Sequence, residues 1–167
     1  QSKLLGEYFI KSYSHNYLII RLSSIFSHFP CRDKKGLNFI DKMIELSSKN
    51  KELFVNNLEI SPTYVGDIAN QVNLIYKIVN NETIHCTSLG STTWFDFAKE
   101  IFKRNNIKIK LNKVSNFDGD SIIRPKYTVL KNNYLIKKKL NVMPDWKTSY
   151  DNYVKDQYLK KTNYQQT

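Results

Sequence analysis

Two basic side chains stand where a charge could do chemistry. Lys3 lies in the run Ser2-Lys3-Leu4-Leu5-Gly6-Glu7, and taken alone it is an ordinary exposed helix lysine. Arg21 closes the apolar run Tyr17-Leu18-Ile19-Ile20. A guanidinium inside an apolar strand is either a paired structural charge or a contact for an anionic substrate. Thr63 follows Pro62, and as a local hydrogen-bonder it would settle a helix start. His28 and Cys31 have H-x-x-C spacing, but two ligands make no metal site. His15 and His85 read as structural, and Trp94 and Trp146 as core anchors. Gly6, Gly36, Gly66, Gly90 and Gly119 stand about thirty residues apart, so the chain holds no Gly-rich turn to cradle phosphate.

These residues sit in a chain of 167 residues, one domain's worth and long enough to bury a core. Its 41% apolar and 25% charged residues exclude wholesale disorder. No apolar stretch reaches the ~18–20 residues of a membrane span, and no leader precedes a small-residue cleavage site. Cys31 and Cys86 cannot build a disulfide framework, so a reducing, cytoplasmic setting is the expectation. The chain opens without Met and already inside a helix, which leads us to expect that residues are missing upstream.

The net charge is +11, divided as 10 basic and 8 acidic residues before position 84 and 16 basic and 7 acidic after it. A basic half could track phosphates. Its lysines are scattered, however, and the one dense run, Lys137-Lys138-Lys139, flanks Tyr134, Leu135 and Leu140 as the wet face of a short helix would.

Apolar spacing predicts helices over 1–13, 37–48, 67–79, 94–102, 132–140 and 145–160. Strands are expected at 17–22, 52–55, 83–86 and 107–114, the first buried on both faces of a parallel sheet. Thr93 caps the helix that begins at Trp94, with Asp96 reaching back. Alternating helices and strands make the chain α/β.

The order of local motifs goes further. Ser2-Lys3-Leu4-Leu5-Gly6-Glu7, Leu18-Ile19-Ile20-Arg21 with Ser23, and Asn38-Phe39 are followed by Ser61-Pro62-Thr63-Tyr64-Val65-Gly66-Asp67-Ile68-Ala69. Then come Thr92-Thr93-Trp94-Phe95-Asp96-Phe97-Ala98, Arg124-Pro125-Lys126-Tyr127-Thr128-Val129-Leu130 and Pro144-Asp145-Trp146. In that order they resemble the C-terminal part of the dTDP-4-dehydrorhamnose reductases, extended short-chain dehydrogenases/reductases. The resemblance implies the C-terminal portion of an NAD(P)-binding Rossmann-like fold without its Gly-rich N-terminal half. Residues 1–161 would be the sugar-nucleotide-binding portion, including the end of the catalytic helix, and 162–167 a frayed polar tail.

In this family a Tyr four residues before the Lys lies on the same helix face, and the ammonium lowers its pKa for proton transfer with the substrate ketone. That position falls upstream of Gln1. The resemblance implies that Lys3 is catalytic and also holds the nicotinamide ribose of NADPH or NADH. Arg21, Asn38, Thr63 and Arg124 would contact the nucleotide sugar, Arg124 near the diphosphate, where a guanidinium fork suits phosphate oxygens. No metal is implied, nor a membrane, and a homodimer is allowed. The intact parent would reduce dTDP-4-dehydro-L-rhamnose to dTDP-L-rhamnose for surface polysaccharide, and this chain alone would be inactive.

Two departures bear on the substrate. Ser24 stands where the family often has an aromatic ring of the pocket, and Asn56-Asn57 where it often has Asp-Gln. Two other functions fit the residues. One is a non-catalytic regulatory homologue, like the regulatory subunit of methionine adenosyltransferase, and the other is a basic nucleic-acid-binding domain.

Overall fold

The computed structural model describes residues 1–29, 37–115 and 125–164, with side chains through residue 156. The elements run α1 (Ser2–Tyr13), β1 (Leu18–Arg21), β2 (Ile25–Phe26), α2 (Phe39–Lys49), β3 (Glu52–Asn56), β4 (Glu59–Ile60) and β5 (Thr63–Tyr64). They continue with α3 (Val65–Ile75), β6 (Glu82–His85), β7 (Thr92–Thr93), α4 (Trp94–Arg104), β8 (Lys110–Val114), α5 (Asn133–Lys137) and α6 (Trp146–Tyr164). The strands pair in twos: β1 with β6, β2 with β5 and β3 with β8 in parallel, and β4 with β7 antiparallel. Each parallel pair is joined through at least one helix, as such crossovers require.

Two apolar clusters divide the packing. The larger one gathers α2, α4 and α6 over β3, through Ile40, Leu53, Val55, Phe97, Ile101 and Tyr150. The smaller one packs α3 and α5 on β6, through Ile68, Ile75, Ile84 and Leu135. In α4 the residues Phe97, Ala98, Ile101 and Phe102 are buried at helical spacing, as expected. Thr93 caps that helix by accepting from the Asp96 N–H at 3.0 Å, and its hydroxyl donates to the Asp96 carboxylate at 2.8 Å. Asp96 therefore reaches the capping hydroxyl.

Several boundaries differ from the sequence expectation for local reasons. The helix expected to reach Val79 ends at Ile75; Val79 is still buried, because its N–H bonds Ile75 C=O in a turn. The strand expected from Ile107 begins at Lys110, because Asn106 turns left-handed (φ 54°) and Ile107 N–H bonds back to Phe102. The helix expected over 132–140 stops at Lys137, with Lys139 left-handed (φ 56°). α6 runs to Tyr164, so the first residues of the expected frayed tail are helical.

β1 is the main correction. Among the described residues it pairs only with β6, and only Ile19 is buried along it, with Leu18 and Ile20 half-buried and Arg21 exposed. Because side chains alternate along a strand, Leu18 and Ile20 meet the smaller cluster on one face while Ile19 is buried on the other, so both faces are covered, but incompletely. α1 buries none of its residues, and Leu4, Leu5, Tyr8, Phe9 and Tyr13 lie on its surface.

Candidate functional site

A cavity of about 410 Å³ opens beyond the end of β1, within the size range of small-molecule sites. Leu22, Ser23 and Ser24 form one wall, Leu58, Ile60 and Trp94 the floor and far side, and Pro125 and Thr128 the other wall. The walls are stitched by hydrogen bonds. Ser23 Oγ donates to Thr128 C=O at 2.8 Å, while Glu59 N–H donates to Lys126 C=O and Thr128 N–H to Glu59 C=O. Ser24 is left-handed (φ 49°), a conformation that costs energy outside glycine and gathers at functional sites. The lining is apolar and hydroxyl-bearing, with no charged side chain among the described residues.

The sequence-predicted residues fall at different distances from this cavity. Thr63 lies beneath it and is fully buried: its N–H donates to Ser24 C=O, its hydroxyl donates to Ser61 C=O at 2.9 Å, and it accepts from Ser88 N–H at 3.0 Å. Thr63 is therefore a strut under the wall. Asn38 caps α2, accepting from Asp41 N–H at 2.9 Å, and its amide donates to Ser27 C=O and the Tyr153 hydroxyl. Both of its amide N–H groups are thus committed within the fold. Arg21 makes a bidentate pair with Glu7, at 2.9 and 2.7 Å. That is the paired-charge alternative raised by the sequence. Lys3 is exposed on the first turn of α1, and Arg124 lies outside the described residues, next to the lining residue Pro125.

Asn56, where the family often has an acid, accepts from Leu58 N–H at 3.2 Å and so turns the chain into the cavity floor. Trp94 is both core anchor and cavity lining, packed at a tilt against Phe39 with ring centres 4.4 Å apart. Leu58, Ile60 and Thr128 were not anticipated as lining, although Thr128 lies inside the Arg124–Leu130 motif that signalled the segment.

The other candidates are structural. His28 stacks on Tyr153 with ring centres 3.9 Å apart, its Nε2 against Tyr153 C=O, and Cys31 lies outside the described residues. His85 Nδ1 meets Lys131 C=O. No group of three or more His, Cys, Asp or Glu could hold a metal among the described residues. Burial pushes the Cys86 thiol up to about 12, so it carries no thiolate at neutral pH.

The cofactor expectation meets a limit here. The strand-to-helix turns into α3 and α4 carry Asp67 and Asp96 in their first helical turns, and a carboxylate there opposes a pyrophosphate. Among the described residues, the turns into α3 and α4 are therefore poorly suited to a dinucleotide phosphate.

Comparison with known proteins covers nearly the whole chain. The family model described as the RmlD substrate binding domain matches residues 1–159. The spore coat polysaccharide biosynthesis protein SpsK of Bacillus subtilis is 27% identical, over 93% of this chain and 53% of its own length. The dTDP-4-dehydrorhamnose reductase of Escherichia coli is 26% identical, over 87% of this chain and 51% of its own. A solved dTDP-4-dehydrorhamnose reductase from Bacillus anthracis, in complex with NADP, superposes with a TM-score of 0.83 at 31% identity, over 93% of this chain and 54% of that one. The chain thus spans about half the length of the relatives it matches.

Proposed function

The chain belongs to the RmlD substrate binding domain family, and on that premise we propose that it is the substrate-binding part of an NAD(P)H-dependent sugar-nucleotide reductase. The intact parent reduces dTDP-4-dehydro-L-rhamnose to dTDP-L-rhamnose. The observation that carries this reading is the cavity beyond β1, because three of the segments that line it, around Ser23, Trp94 and Thr128, bear the family motifs.

The sugar sits against Trp94 and the Ser23–Ser24 wall, where hydroxyls and a flat ring suit a deoxysugar. Serine at position 24 leaves that wall open where a ring would have filled it. The diphosphate needs a cation that the described lining lacks, and Arg124, adjoining Pro125, supplies it. When bound, the reduced nicotinamide supplies the hydride. Lys3 orients the ribose and lends its positive charge to the phenol that moves the proton. The described turns into α3 and α4 carry carboxylates where a phosphate would sit, so by itself the chain is expected to hold the dinucleotide weakly.

Titration of the 167-residue protein with dTDP-L-rhamnose, followed by Trp fluorescence, tests the reading. It predicts saturable quenching that Trp94→Phe abolishes and Trp146→Phe retains, with no NADPH oxidation by the isolated chain. Turnover by the isolated chain would contradict the predicted inactivity, and the absence of saturable binding would remove the substrate site.

A further inference from the structure

α1 is held to the rest of the molecule in an unusual way. None of its side chains is buried, and apart from Glu7 none makes an ion pair or side-chain hydrogen bond to another element among the described residues. The single polar link is a fork: Arg21 Nε donates to Glu7 Oε1 at 2.9 Å and Arg21 Nη2 to Glu7 Oε2 at 2.7 Å. Two parallel hydrogen bonds fix orientation as well as distance, which a point charge such as Lys cannot do. Arg21 is the last residue of β1, paired in register with His85 of β6, so its backbone is anchored in the sheet. Glu7 lies one helical turn after Lys3, on the same face.

We propose that Arg21 is a positioning residue: by gripping both oxygens of Glu7 it fixes the rotation and height of α1 on β1, and thereby where Lys3 points. It does not contact the nucleotide sugar. Both donor faces of the guanidinium used in the fork are committed to Glu7, although the next residue, Leu22, already lines the cavity. Lys11 and His85 also face Glu7, but Lys11 is on the same helix and cannot tie it to the sheet. The proposal rests on the reading of Lys3 given above for its purpose, while the clamp itself is testable without any reductase activity.

The test uses the 167-residue protein and four variants: Glu7→Gln, Arg21→Gln, the double variant, and the charge-swapped pair Glu7→Arg/Arg21→Glu. Millisecond amide hydrogen exchange across residues 2–13 is measured beside the affinity for dTDP. Each single variant should speed exchange in α1 about threefold, the scale of a partly exposed ion pair. The double variant should add nothing more, and the swapped pair should recover part of the protection. Affinity for dTDP should be the same in Arg21→Gln and Glu7→Gln as in the parent chain. Unchanged exchange in both single variants would overturn the clamp. So would a tenfold loss of dTDP affinity in Arg21→Gln that Glu7→Gln does not share, since Arg21 would then touch the ligand. If the parent chain binds no dTDP, the substrate reading fails and the exchange measurements alone decide the clamp.

Discussion

At the scale of single residues, the chemistry of a side chain and the use the fold makes of it come apart. Arg21, Asn38 and Thr63 have the right types for gripping a nucleotide sugar, and each also spends hydrogen bonds inside the protein: Arg21 commits two of its five N–H groups to Glu7, Asn38 caps α2, and Thr63 bridges Ser61 and Ser88. Sequence shows the type, while the partners come from segments far away: Ser88 is 25 residues from Thr63 and Tyr153 is 115 from Asn38. Thr63 gives the sharpest consequence. Thr63→Val keeps the shape but leaves Ser88 N–H and Ser61 C=O without their partner in a fully buried place. Such orphaned groups cost about 1–3 kcal/mol, so urea unfolding should show a loss of that size, and Thr63→Ser should recover most of it. A ligand contact would instead lose affinity without losing stability.

At the scale of elements, helix and strand types were legible because their apolar spacing is strong, as in α4. Their ends were not, because single left-handed residues such as Asn106 and Lys139 set them. Nor was the tie between α3 and α6 legible. Asp67 stands in the first turn of α3, where a carboxylate complements the helix dipole; the structure also buries it and gives it Ser149 Oγ at 2.6 Å and Asn152 Nδ2 at 2.7 Å as donors. Burial raises its carboxyl above the usual range, and the two donors only partly oppose this. The folded protein therefore holds that proton to higher pH than the unfolded chain does. The contribution of Asp67 to stability falls as pH rises from the ordinary Asp value through the folded one. Asp67→Asn removes this slope. The exposed carboxylates Glu7, Glu45, Glu52 and Asp145, held below their usual range by their partners, slope the other way in both proteins and cancel in the difference. Urea midpoints taken between about pH 4 and 7 should show wild type losing ground to Asp67→Asn as pH rises. Parallel profiles would contradict this.

At the scale of the whole molecule, the α/β class followed from alternating helices and strands and the family from motif order, and three of those motifs supply lining residues of one cavity. The completeness of β1's covering could not be read in this way: an apolar run reports that a strand suits an interior, and not that Leu18 and Ile20 stay half-buried in this chain. The +11 charge stays dispersed among pairs and aromatic contacts, such as Lys113 over Phe95, Arg104 with Glu100, and Lys110 with Glu52. No helix among the described residues is long and apolar enough to cross a membrane. The account turns on the cavity beyond β1 being where a nucleotide sugar binds. The direct measurement is an amide chemical-shift map of the 15N-labelled 167-residue protein titrated with dTDP-L-rhamnose. Saturable shifts at Leu22–Ser24, Leu58, the Trp94 indole and Thr128 are predicted, with Asn38 left in place. Shifts confined to other surfaces, or none that saturate, would contradict it.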